Sequence, residues 1–178
     1  MQTELANLKV AVAQVSSIKG DVNSNINTHL KAVTAASKDA VDYLVFPELS
    51  LTGYEPELAD ELAFSLDDSR LKPLIEAACH HQIILGVGAP IAGEDKPYIG
   101  LIVIYPNGRL ACYRKRHLHP QEDVFFAAGE TQHYTTAKGA TIANAICADT
   151  NNAAHAQECA SAGSDVYLAG VLITEQGY

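Results

Sequence analysis

Three ionisable residues each follow an apolar run in this chain: Glu48 after YLVFP, Lys115 after LACYR and Cys147 after TIANAI. A thiol, a carboxylate and an ammonium together suffice for acyl transfer. The thiol attacks a carbonyl carbon, the carboxylate moves the protons, and the cation stabilises the oxyanion. Cys147 in ICADT is the best placed of the three, because the strand TIANAI ends there and NAAHAQECASA, with Gly163 after it, reads as a helix over Asn152–Ala162. A cysteine between a strand and a helix faces backbone N–H groups and the positive end of a helix dipole. Taken singly, each residue also has a plainer reading. Glu48 and Lys115 would form a solvated charge pair, and Cys147 would be core.

Strand ends in an α/β sheet converge on a common crevice, so the elements that carry these residues decide between the readings. LKVAVAQ (Leu8–Gln14) is a first strand, apolar enough to be buried on both faces, and Asp21 can cap a helix through Ala36. Ile26, Leu30, Val33 and Ala36 share one face of that helix, while Asn25, Lys31 and Ser37 point away. VDYLVF is the second strand, and Pro47 stops it just before Glu48. Leu58–Phe64 is a short helical piece. Ser69 can cap a helix through His81, with Leu71, Leu74, Ile75 and Ala78 as its apolar stripe. QIILGVGAPI, YIGLIVIY and LACYRK then follow as three strands, with a hairpin signal at Asn107–Gly108. Lys115–Gly129 is a long polar connection of the kind that often carries function. Two strands around Lys138–Gly139, the cysteine turn, its helix and a last strand at Asp165–Leu172 complete the pattern. Early βαβ units followed by an antiparallel meander predict two packed sheets with helices outside.

The chain's 178 residues fit one domain, and 48% hydrophobic with 19% charged residues is a soluble globular composition. A formal charge of −9 argues against a nucleic-acid surface and for a small-molecule or protein partner. No secretory signal is visible and no apolar run reaches membrane-spanning length. The four cysteines form no CxxC pair and no disulfide framework, which fits a reducing cytoplasm.

FPELSLTGY around Glu48, YRKRHL around Lys115 and ICADT around Cys147 resemble, in order, the three catalytic motifs of the nitrilase superfamily of carbon–nitrogen hydrolases. The VAVAQ strand, the Gly20–Asp21 turn and PNGRL are similar to that family as well, so the resemblance runs from about Leu8 to Ile173. It implies a four-layer α-β-β-α sandwich and cofactor-free, metal-free hydrolysis of a small amide or carbamoyl substrate with release of ammonia. Cys147 would be the nucleophile, Glu48 the base and Lys115 the oxyanion partner, aided by the backbone N–H of Ala148. Glu122 would accept a hydrogen bond from Lys115 or orient substrate, and Tyr54 and Asp149 would contribute to the substrate pocket. A carboxylate beside the thiol raises the thiol pKa, so the resting cysteine is expected to be protonated. The family also implies a homodimer or higher oligomer, for which the alanine-rich helix Asn152–Ala162 is suited.

The chain departs from the family after the cysteine, where Ala148, Thr150, Asn151 and Asn152 replace the usual residues and Asp149 is kept. That favours an amidase-like branch over true nitrile hydrolysis. Members of the family usually continue beyond the equivalent of Asp165–Leu172, so the single domain over residues 1–178 reads as C-terminally short, with an incomplete second half. A partner-completed or catalytically inactive protein with a binding or assembly role is the alternative. Two other chemistries are weaker. His155 would stand about 12 Å along a helix from Cys147, too far for a Cys–His pair. His117, His119 and Glu122 would need a further ligand to hold a metal.

Overall fold

The computed structural model describes residues 7–173 and contains two sheets. The larger has the order β1 (Val10–Val12), β2 (Tyr43–Val45), β3 (Ile84–Ile91), β4 (Tyr98–Ile104) and β5 (Leu110–Arg114). Its first three strands are parallel and the last two antiparallel. In the smaller sheet β7 (Ala140–Ile146) lies between β6 (Tyr134–Ala137), which is antiparallel to it, and β8 (Val166–Gly170), which is parallel. Four α-helices are described: α1 (Val22–Lys38), α2 (Ala59–Leu62), α3 (Lys72–His81) and α4 (Ala153–Ser161). Among the described residues, no helix is long and apolar enough to cross a membrane.

The alternation of side chains along each strand builds the layers. Val22, Ile26 and Val33 of α1 and Leu74 and Ala78 of α3 pack on Leu44, Leu85, Val87 and Ile102, on the outer face of the large sheet. The opposite face presents Tyr43, Val45, Leu101, Val103 and Tyr113 to Ile142, Ile146 and Leu168 of the small sheet. On the far side of the small sheet, α4 buries His155 and Cys159, and His155 Nδ1 meets the Tyr167 hydroxyl at 2.8 Å. The order is therefore helix, sheet, sheet, helix. Asn144 is a polar residue between the sheets, and it is fully paired: its Oδ1 accepts from Tyr43 and its amide donates to Thr135 and His133.

Several local expectations are corrected. The first strand is short and lies at the edge of its sheet, with Val12 71% exposed, so it is not buried on both faces. Asn25 points inward: its amide donates to the carbonyls of Ile18 and Leu51, and its oxygen accepts from the N–H of Ile18. A polar side chain on the inner face of α1 thus ties down the loop that follows β2. Asp68, not Ser69, caps the segment leading to α3, by accepting from the N–H of Arg70.

Two glycines fix the path of the segment carrying Glu48. The Leu51 N–H donates to the Gly88 carbonyl at 2.9 Å, and an added Cβ at Gly88 would fall 2.2 Å from the Pro47 carbonyl oxygen and 2.5 Å from the Leu49 nitrogen. From the small sheet, a Cβ at Gly170 would fall 2.6 Å from the Phe46 carbonyl oxygen. Only residues without a side chain let β3 and β8 approach Phe46–Leu49 this closely.

Candidate active site

Glu48 and Lys115 reach the same point from β2 and β5. The Lys115 N–H donates to the Ile99 carbonyl and its own carbonyl accepts from Gly129, so the residue is pinned at both ends of its peptide unit. Its side chain is completely buried, and Glu48 is 3% exposed. Lys115 Nζ stands 2.7 Å from Glu48 Oε1 and 2.8 and 3.0 Å from the two oxygens of Glu122. The reading of Glu48 and Lys115 as a solvated pair is thereby excluded. Glu122 opens a short 3₁₀ turn, Glu122–Val124, within the long connection. It also accepts from the Tyr54 hydroxyl and from the His119 N–H, each at 2.7 Å.

Cys147 stands at the end of β7 with φ 41°, a left-handed backbone that costs a non-glycine residue about 1–2 kcal/mol. Leu49, directly after Glu48, has φ 51°. Strained residues beside two chemically active groups are a common mark of functional sites. The helix read over Asn152–Ala162 is α4, which starts at Ala153 with Asn152 as its cap, and the break before it is a 3₁₀ turn, Cys147–Asn151. The 3₁₀ turn thus separates the thiol from the first turn of α4. Ala148, buried at the second position of that turn, carries one of the first N–H groups, which have no partner within a helical turn.

A cavity of about 370 Å³ is lined by Glu48, Tyr54, His119, Glu122, Cys147, Leu172 and Ile173. Burial and the Glu48 charge beside it push the Cys147 thiol up to about 11, against the pull of Lys115. At neutral pH it is therefore a thiol, as the carboxylate neighbour predicted. Burial also raises the Glu48 carboxyl, against the pull of Lys115. Burial alone would lower the Lys115 ammonium, but Glu48 and Glu122 outweigh it and hold Lys115 above its ordinary value. The site thus keeps a buried cation between two carboxylates, with the neutral Cys147 thiol lining the same cavity.

Asp149 is placed differently from the expectation. It is fully buried and does not line the cavity. Its Oδ2 accepts from the Tyr113 hydroxyl and the Ile146 N–H, and its Oδ1 from the N–H groups of Arg116 and His117 and from His117 Nδ1. With both oxygens committed to the protein, it holds the turn and cannot bind substrate. His117 faces Asp149 while His119 lines the cavity, so the imagined His117–His119–Glu122 metal set is not assembled. His117, Asp149 and His155 do bring donor atoms within 4.8 Å of one another. Both nitrogens of His155, however, already meet tyrosine hydroxyls. The cavity-lining roles of Leu172 and His119 were missed: the sequence reading placed Leu172 inside the last strand, whereas β8 ends at Gly170.

The sequence profile described as carbon-nitrogen hydrolase matches residues 9–177, nearly the whole chain. The chain belongs to the carbon-nitrogen hydrolase family. An (R)-stereoselective amidase from a Pseudomonas species is 26% identical over 163 residues, which are 90% of this chain and 59% of that protein. A glutamine-dependent NAD(+) synthetase from Aquifex aeolicus is 30% identical over 149 residues, 80% of this chain and 26% of its own length. The nitrilase-superfamily amidase from Nesterenkonia sp. AN1, solved as a mutant in complex with butyramide, superposes with a TM-score of 0.85 at 22% identity. That match covers 98% of this chain and 69% of the Nesterenkonia chain, and at this identity it shows the nitrilase-type fold alone. The chain thus spans 59% of the length of the Pseudomonas amidase and a smaller share of the synthetase.

Proposed function

We propose that this carbon-nitrogen hydrolase cleaves the C–N bond of a small amide or carbamoyl compound through a thioester on Cys147. The observation that carries this reading is the buried Lys115, which bridges Glu48 and Glu122, the two carboxylates that line one cavity with Cys147. The thiol sulfur attacks the carbonyl carbon as Glu48 takes the thiol proton. Lys115 and the Ala148 N–H stabilise the tetrahedral oxyanion, each such donor commonly lowering the barrier by about 3 kcal/mol. Collapse of the adduct breaks the C–N bond, and Glu48 returns the proton to the leaving nitrogen, releasing ammonia and leaving the thioester. Water, deprotonated by Glu48, then attacks the thioester carbon and frees the acid and the thiol. Glu122 holds Lys115 and Tyr54 in place.

The (R)-stereoselective amidase among the relatives supports an amide substrate. Pairing of protomers along α4 belongs to the same proposal, since Ala153, Ala154, Ala156 and Ala160 leave an exposed small-residue face. In an assay of ammonia release from short aliphatic amides and carbamoyl compounds, Cys147→Ala is expected to fall to background while keeping the parent's circular dichroism. Release at the parent rate would contradict the reading. No release by the parent, with Cys147 also inert to iodoacetamide, would favour a binding or assembly role.

A further inference from the structure

Behind the cysteine turn, away from the cavity, lies a chain of buried polar groups that the proposed chemistry does not use. Tyr113 on β5 and Asp149 are fully buried, and His155 on α4 is 1% exposed. The Tyr113 hydroxyl donates to Asp149 Oδ2 at 2.7 Å, so its single proton is committed there. Its oxygen must then accept from His155 Nε2, 3.0 Å away. This makes His155 the neutral tautomer protonated on Nε2, with Nδ1 left to accept from the Tyr167 hydroxyl at 2.8 Å. The chain therefore runs Tyr167, His155, Tyr113, Asp149, joining β8, α4, β5 and the cysteine turn. Asp149 in turn accepts from the N–H of Ile146, just before Cys147, and from the N–H groups of Arg116 and His117, just after Lys115.

We infer that His155 is a positioning residue: through Tyr113 it orients the Asp149 carboxylate, which fastens the peptide before Cys147 to the peptides after Lys115. The inference rests on the proposed roles of Cys147 and Lys115, and it gives the Asp149 clamp a reason to hold one geometry. A carboxylate can rotate among its five donors, and the Tyr113 hydroxyl selects one arrangement only while His155 occupies the other side of that hydroxyl. Every element packed around the imidazole contributes a polar or charged neighbour: Tyr113 and Arg116, His117 edge-on at 5.3 Å, Asp149, Glu158 of α4 and Tyr167. Arg116 and Glu158 pair with each other at 2.9 Å, which leaves the His155 contacts to the two tyrosines. Burial holds the imidazole below its ordinary value, consistent with the neutral tautomer.

The test is the pH profile of Cys147 alkylation by iodoacetamide, followed on the full chain by peptide mass. His155→Phe removes both tyrosine contacts and keeps an aromatic ring. Loosening the turn reduces the burial and the Glu48 contact that hold the thiol near 11, so the midpoint is expected to move about one unit toward the ordinary 9.0. Alkylation below the midpoint then becomes roughly tenfold faster. A purely structural role would lower the melting temperature and leave this profile in place. Tyr167→Phe, which deletes a single hydroxyl, should move the midpoint in the same direction and serves if His155→Phe does not fold. Profiles that superpose on the parent's for the folded variants would overturn the inference. Glu48→Gln is the control for the underlying site. If it too leaves the profile in place, the Glu48–Cys147 reading fails; if it alone moves the profile, only the role of His155 fails.

Discussion

Lys115→Met is expected to destabilise the protein by about 3–5 kcal/mol, because it leaves two buried carboxylates facing each other without the cation between them. Glu48 Oε1 and both Glu122 oxygens lie within 3.0 Å of the ammonium, and the lysine side chain is completely out of solvent. Removing it also takes away the proposed oxyanion donor, so turnover should fall by a further ~10²–10³-fold in whatever fraction stays folded. The two effects separate in the double variant Lys115→Met/Glu122→Gln. Neutralising Glu122 should restore much of the stability in urea unfolding, and turnover should stay lost. The pH dependence follows from the direction of the lysine's shift. Its pKa is raised in the folded state, so its stabilising contribution is complete below the ordinary 10.5 and disappears only as pH rises through the folded value. A Lys115→Met protein as stable as its parent would mean that the three groups do not share the buried site.

Glu48→Gln is expected to move chemistry and thiol reactivity in opposite directions. Without the carboxylate no group takes the thiol proton, returns it to the leaving nitrogen or activates water, and turnover should drop by ~10²–10⁴-fold. The same change deletes a negative charge that, after burial, does most to hold the Cys147 thiol above its ordinary value. The thiolate fraction at a fixed pH therefore rises, and iodoacetamide should label Cys147 faster than in the parent. A base that merely kept the cysteine ionised would give the reverse, with slower labelling of the variant.

The site was legible in the sequence through one regularity: chemically active residues placed immediately after apolar strands. Glu48, Lys115 and Cys147 each obey it, although β2 and β5 are not neighbours and β7 belongs to the other sheet. Glu122 and Tyr54 do not, because they come from loops whose path is set by tertiary contacts such as the His119 N–H on Glu122. They entered only through the family resemblance. Asp149 shows why resemblance alone mislays a role. It stands two residues from Cys147, yet the left-handed backbone there and the 3₁₀ turn point it away from the cavity into five donors. Asn25 was mislaid for a related reason. Helical periodicity sorts residues by polarity, and it cannot foresee that a buried amide will satisfy the carbonyls of a loop 26 residues away. The layers were readable from the change of pattern along the chain, whereas the strand order and the edge position of β1 depended on which strands paired.

The most direct measurement of the central claim is the intact mass of the full chain after brief exposure to an amide that it turns over. The account predicts a mass increase equal to the acyl group, localised to the Cys147 peptide, decaying as the acid is released and absent from Cys147→Ala. Ammonia release by the parent with no adduct on Cys147 under rapid quench, together with turnover by Cys147→Ala, would contradict it.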